Sequence, residues 1–173
     1  MIITPLKIKG SFVIESMLHR DDRGYLFEAQ TTSMHQKLKI PPFVQSNVSY
    51  SKKDVIRGMH WQQDQYKLVR CLSGKIIDVI VDMRKGSPTY KMWDKIVLDS
   101  KEAKALLVPP LCAHGFCALE DSLVFYQMTQ SYDPEKERGF DPMDPDIQLM
   151  WPVKNPILSE KDLRSVSFAK SLL

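Results

Sequence analysis

Apolar and polar residues alternate along much of this chain in short runs, the pattern of strands buried on one face. "SFVIES" (11–16) and "GYLFEAQ" (24–30) are two such runs, with the polar turn "HRDDRG" between them. "PPFVQSNVSYS" (41–51) opens on a Pro-Pro loop and passes into alternation. The centre, "YKLVRCLSGKIIDVIVDMR" (66–84), carries the strongest signal. Val69 and Cys71, then Ile77, Val79 and Val81, repeat at period two, and Ser73-Gly74 between the runs predicts a hairpin. "WDKIVLDS" (93–100), "KALLVPP" (104–110), "GFCALE" (115–120) and "SLVFYQMTQSY" (122–132) extend the series. Two segments differ. "TSMHQKLK" (32–39) predicts a helix of about two turns. "NPILSEKDLRSVSFAKSLL" (155–173) predicts a helical tail capped by Ser159, with Asp162 in the capping-box position where Glu or Gln is preferred. The fold expected is mainly β, a jelly-roll type of barrel with short C-terminal helices.

Composition narrows the picture without changing it. The 173 residues suit one domain spanning 1–173 with a full core. The chain is 43% hydrophobic and 26% charged, as in a globular domain. Its net charge of +3 is small and its Lys and Arg are spread along the chain, which argues against nucleic acid as a partner. A small anionic substrate is compatible with that excess. Cys71, Cys112 and Cys117 are odd in number and form no C-x-x-C pair, so reduced thiols are expected, with Cys71 a small core residue. "MIITPLKIKG" lacks the apolar stretch of a signal peptide, and the uncharged run at 105–119 is broken by two prolines and a histidine. No membrane span and a cytoplasmic location are expected.

The candidate chemistry centres on "VIRGMHWQ" (55–62), where Arg57 and His60 fall at an expected strand end. His19 and His35 lie in polar stretches and are expected at the surface without a role. His114 lies in "PPLCAHGF", beyond a strand end marked by Pro109 and Pro110. Neither His60 nor His114 has the nearby H-x-H company of a metal site, so none is expected and the imidazoles are free for proton chemistry. Arg57 and Lys67 converge near His60 if their strands pair, and cations beside it give a histidine reason to stay neutral, as a base should. Tyr126 then suits an acid. Taken alone, a tyrosine in such an apolar run is more often a core residue with its hydroxyl at the edge.

Six ordered segments carry more than any single motif: "RDDRGYLFE" (20–28), "QSNVSYSKKDVIRGMHWQ" (45–62), "KLVRCLSGKIIDVIVDMRKGSPTY" (67–90), "VPPLCAHGF" (108–116), "YDPEKERG" (132–139) and "WPVKNPILSEKD" (151–162). Together they closely resemble the dTDP-4-dehydrorhamnose 3,5-epimerase family of nucleotide-sugar enzymes, from about residue 5 to residue 165. The resemblance implies a cupin-like β jelly roll without metal or organic cofactor. It implies a homodimer in which an N-terminal strand crosses to the partner, and a nucleoside-diphosphate 4-keto-6-deoxy sugar as substrate. His60 matches the family's base and Asp162 the carboxylate paired with it. Lys67 matches the lysine near the carbon-4 oxygen, and Tyr126 the tyrosine that reprotonates from the other face. Gln45, Asn47, Arg57, His114, Tyr132, Glu137 and Lys161 fall on substrate-binding positions. Arg23 and Glu28 fall on positions that reach across the dimer. The chain departs from the family at Leu26, at Ser131 and at Pro142-Met143-Asp144, where W-N-D is usual. A single-carbon epimerase, a 3,4-ketoisomerase and a non-catalytic sugar-nucleotide binder are the alternatives.

Overall fold

Thirteen strands account for most of the period-two pattern in the structure, a computed structural model that describes residues 1–172. They are β1 (Ile2–Pro5), β2 (Phe12–Glu15), β3 (His19–Asp21), β4 (Gly24–Leu26), β5 (Gln45–Ser51), β6 (Ile56–Trp61), β7 (Lys67–Ser73), β8 (Lys75–Asp82), β9 (Trp93–Asp99), β10 (Lys104–Val108), β11 (Cys112–Ala118), β12 (Ser122–Met128) and β13 (Arg138–Gly139). A six-stranded sheet has the order β1-β2-β10-β7-β12-β5, and a five-stranded sheet the order β13-β6-β11-β8-β9. β3 and β4 form a separate hairpin. The result is the expected jelly-roll sandwich.

Between the sheets lies a core to which both contribute, including Val69, Leu106 and Val124 from one and Ile80, Leu98 and Phe116 from the other. The outer face of the six-stranded sheet packs Leu68, Ala105 and Leu107 against Met34 of α1 (Thr32–Leu38). This helix is capped by Thr31, whose side chain accepts from the Met34 N–H, and ends in a left-handed Lys39. Over the five-stranded sheet, Met59, Val79 and Val81 meet Phe140, Ile147 and Phe168 from the C-terminal third.

The expected hairpin at Ser73-Gly74 does not form. β7 and β8 stand in different sheets, and Gly74 turns the chain from one to the other. One linking residue is too short to reverse the chain within a sheet, whereas the left-handed φ of +78° at Gly74 makes a corner. A Cβ there would lie 2.3 Å from the Asp121 carbonyl. Both strands are apolar on two faces, so each needs flanking strands and cover, not one partner.

Other expectations need adjusting. The run at 24–30 is strand only over Gly24–Leu26. Arg57 and His60 are interior to β6, and His114 to β11, not at strand ends. His35 is buried, its Nδ1 2.9 Å from the Pro41 carbonyl, because the residues after α1 fold back over it. The tail is mostly not helical. α2 (Glu160–Leu163) is one turn, and a 3-10 turn covers Lys170–Leu172. Between them the backbone is claimed by another partner, Val166 accepting from the Asp141 N–H. Leu173 lies outside the described residues.

Candidate active site

β6 and β11 bring His60 and His114 opposite one another. Arg57 and His60 are three residues apart, so a regular strand would turn them to opposite faces. The register shift between His114 and Phe116 lets both line one cavity of about 310 Å³. The two strands approach closely there. A Cβ on Gly58, whose φ is +131°, would stand 2.6 Å from the Gly115 Cα.

The opposite wall comes from the other sheet. Lys67 opens β7, and Tyr126 on β12 faces Asn47 on β5. Arg57 and Lys67 therefore converge across the sandwich, not through paired strands as expected. Asn47 Nδ2 donates to the Tyr126 hydroxyl at 3.2 Å. Gln45 lies behind the lining. Its Nε2 donates to Asn47 Oδ1 at 3.0 Å and its Oε1 accepts from the Tyr132 N–H at 2.8 Å. Arg57 is braced against the edge strand, donating to Ser51 Oγ at 2.9 Å and to the Tyr50 carbonyl at 3.0 Å.

Two His–Asp pairs sit in this cavity wall. His60 Nε2 donates to Asp162 Oδ1 at 2.8 Å, with the Asp162 side chain 4% exposed. Ser159 caps α2 as expected, accepting from the Asp162 N–H. Burial pushes the Asp162 carboxyl up, but hydrogen bonds from His60, Ser159 and Gly58 outweigh it and hold the group below its usual range. His114 Nε2 lies 2.5 Å from Asp78 Oδ1, and Asp78 is fully buried. Sequence reading missed Asp78. Its signal was a lone carboxylate inside the apolar run "IIDVIV".

The cations differ in setting. Burial lowers the Lys67 ammonium, opposed by the charges of Glu137 and Asp78. Lys161 is raised by its ion pair with Glu137, which also receives the Tyr132 hydroxyl at 3.4 Å. Ser49, Gln65, Phe116, Met128 and Ser159 complete the lining and were not foreseen. Ser49 is legible in hindsight, because the alternation along β5 puts it on the same face as Asn47 and Ser51. Arg23 and Glu28 do not line the cavity. Arg23 pairs with Asp21 at 2.6 Å on the β3–β4 hairpin, and Glu28 is exposed beyond it. Leu26, Ser131, Pro142 and Met143, the departures from the family pattern, also lie outside the lining. Among the described residues no group of three or more His, Cys, Asp or Glu is placed to hold a metal, and no helix is long and apolar enough to cross a membrane.

A jelly-roll sandwich whose cavity has an imidazole of one sheet paired with the α2 carboxylate on one side, and a phenol and an ammonium of the other sheet opposite, defines a class: cupin-like enzymes of acid–base chemistry. The match to the family model described as dTDP-4-dehydrorhamnose 3,5-epimerase runs over residues 5–170. The chain is 37% identical to the dTDP-4-dehydrorhamnose 3,5-epimerase of Shigella flexneri, over 97% of this chain and 96% of that one. It is 33% identical to the dTDP-4-dehydrorhamnose 3-epimerase of Streptomyces niveus, over 99% of this chain and 86% of that one. The crystal structure of the Legionella pneumophila 3,5-epimerase in complex with dTDP-4-keto-L-rhamnose superposes with a TM-score of 0.93 at 34% identity, covering 99% of this chain and 96% of that one. The chain belongs to the dTDP-4-dehydrorhamnose 3,5-epimerase family and is an isomerase.

Proposed function

We propose that this enzyme inverts carbons 3 and 5 of dTDP-4-dehydro-6-deoxyglucose, giving dTDP-4-dehydrorhamnose. One observation carries the reading: His60 and Tyr126 stand on opposite sheets with the cavity between them. Inversion needs a base on one face of the sugar and an acid on the other. The carbon-4 carbonyl acidifies the neighbouring C–H bonds. Asp162 holds the His60 ring through Nε2, and Nδ1 takes the proton. Negative charge then develops on the carbon-4 oxygen. A fixed ammonium from Lys67 stabilises it, an effect worth about 3 kcal/mol for one preorganised donor. Tyr126 delivers a proton to the far face, and the two groups reset by exchange with water, so no proton is gained or lost.

Arg57 and Lys161 suit the diphosphate, and His114, held by Asp78, suits a sugar oxygen. The residues that act are all side chains of this fold, so the reaction as proposed runs without metal or organic cofactor. We further propose a homodimer of single-domain subunits. β1 pairs with β2 at an open sheet edge in this chain, and Ile2, Met17, Tyr25 and Leu26 are exposed around it. Exchange of that N-terminal region would bring Arg23 and Glu28 to the other subunit's cavity. The three cysteines are free and buried, which supports cytoplasmic residence.

Incubation with the 4-keto sugar nucleotide in deuterated water, followed by NMR, tests the reading. Label and inversion at both carbons are expected. Label at carbon 3 alone gives the second reading, favoured by the similarity to the Streptomyces niveus enzyme. A carbonyl moved to carbon 3 indicates a ketoisomerase, and no label at all indicates a binding protein.

A further inference from the structure

α2, which carries Asp162, is four residues long, and a single turn of helix does not hold itself in place. Upstream, Ile157 exchanges backbone bonds with the start of β6, accepting from the Ile56 N–H at 3.0 Å and donating to the Asp54 carbonyl at 2.9 Å. Downstream the exposed chain is tied once, Val166 accepting from the Asp141 N–H at 2.9 Å, before Phe168, which is fully buried. Phe168 meets Phe140 edge-on at 5.2 Å between ring centroids. Its N–H donates to Asp144 Oδ2 at 2.8 Å, while Asp144 Oδ1 accepts from the Asp146 N–H at 2.8 Å. Asp144 is 3% exposed, so its carboxylate is given up from water to two backbone donors. Phe140 in turn exchanges two backbone bonds with Met59, the residue before His60.

We propose that Asp144 and Phe168 form a latch that positions Asp162 against His60. The latch closes a loop on one structural unit. The base is on β6, its carboxylate is on α2, and the tail after α2 is pinned to the segment that pairs with β6. Neither latch residue lines the cavity, so both are positioning residues. The proposal rests on the reading of His60 and Asp162 as the base pair.

The test is a mutant cycle. Asp144→Asn removes one of two acceptors with no change of shape, and Phe168→Leu keeps an apolar side chain in the same site. Each is made alone and on an Asp162→Asn background, with kcat per folded molecule read from deuterium uptake. Each single variant is expected to lower kcat by about ten- to a hundredfold, as small misplacement of a reacting group does. KM is expected to stay within about twofold, because substrate contacts are untouched. On the Asp162→Asn background neither variant should lower kcat further, since the latch acts only through that carboxylate. Nitrogen-15 shifts of the His60 ring give a readout independent of turnover, and the latch variants are expected to lose the tautomer preference of the parent. Equal losses on both backgrounds, parent kcat in the single variants, or parent ring shifts would each overturn the latch. Should Phe168→Leu fail to fold, Asp144→Asn decides alone. An Asp162→Asn enzyme that turns over at the parent rate would instead remove the base-pair reading, and the latch with it.

Discussion

His60 Nε2 and Asp162 Oδ1 lie 2.8 Å apart although the two residues are 102 positions apart in the chain. The hydrogen bond fixes which imidazole nitrogen carries the proton and leaves the other free to accept one. His60→Ala should therefore abolish deuterium uptake at both carbons, with a loss on the order of 10²–10⁴ in rate. Unchanged circular dichroism alongside that loss would assign the effect to chemistry. Uptake near the parent rate would place the base elsewhere.

Tyr126→Phe keeps the ring and removes the hydroxyl that accepts from Asn47. Proton abstraction by His60 should persist, while delivery to the opposite face fails at one carbon, expected to be carbon 5. The product mixture should be inverted at carbon 3 only, as read by NMR. Parent-rate inversion at both carbons would make Tyr126 a wall of the cavity and nothing more.

Lys67→Met retains the side-chain stem and deletes the charge beside the proposed enolate. A drop of about a hundredfold in kcat is expected, the equivalent of about 3 kcal/mol. A comparable rise in KM with kcat intact would instead assign Lys67 to ground-state binding.

Turnover should survive exhaustive treatment with a chelator, because the proposed steps use side chains alone. Loss of deuterium uptake on chelation, restored by one divalent ion, would require a metal.

Asp82 offers a stability test away from the cavity. Burial pushes its carboxyl up, but Arg84, Ser87 and Thr89 donate to it and bring it down to about 2 from 3.8. A depressed carboxyl stabilises the fold above its unfolded pKa, and that contribution is lost as pH falls through the folded value. The parent should lose about 2 kcal/mol from this site between pH 5 and pH 2. Asp82→Asn should lack that component while being less stable at pH 7, both measured by urea unfolding. Parallel pH curves for the two proteins would refute the assignment.

The strands were legible in the sequence because period-two burial is a local property, enforced residue by residue wherever one face of a strand meets the core. Ser159 was equally local, since a cap needs only a side-chain oxygen and an N–H three residues on. The proposed base His60 and its proposed partner Asp162 were suggested by the ordered segments that resemble the family, not by any local pattern. Other features were decided only by the folded chain. Gly74 reads as a hairpin residue in sequence, but the fold leaves it as a one-residue left-handed corner between β7 and β8, which stand in different sheets. That crossing puts His60 and Tyr126 on opposite sides of one cavity. Asp78 stands alone in an apolar run and Asp144 is one of three aspartates in "DPMDPD", until the fold supplies an imidazole to one and two backbone N–H groups to the other. Alternation states which face a side chain takes. What it meets there depends on contacts between residues far apart in the chain, and only tertiary packing sets those distances.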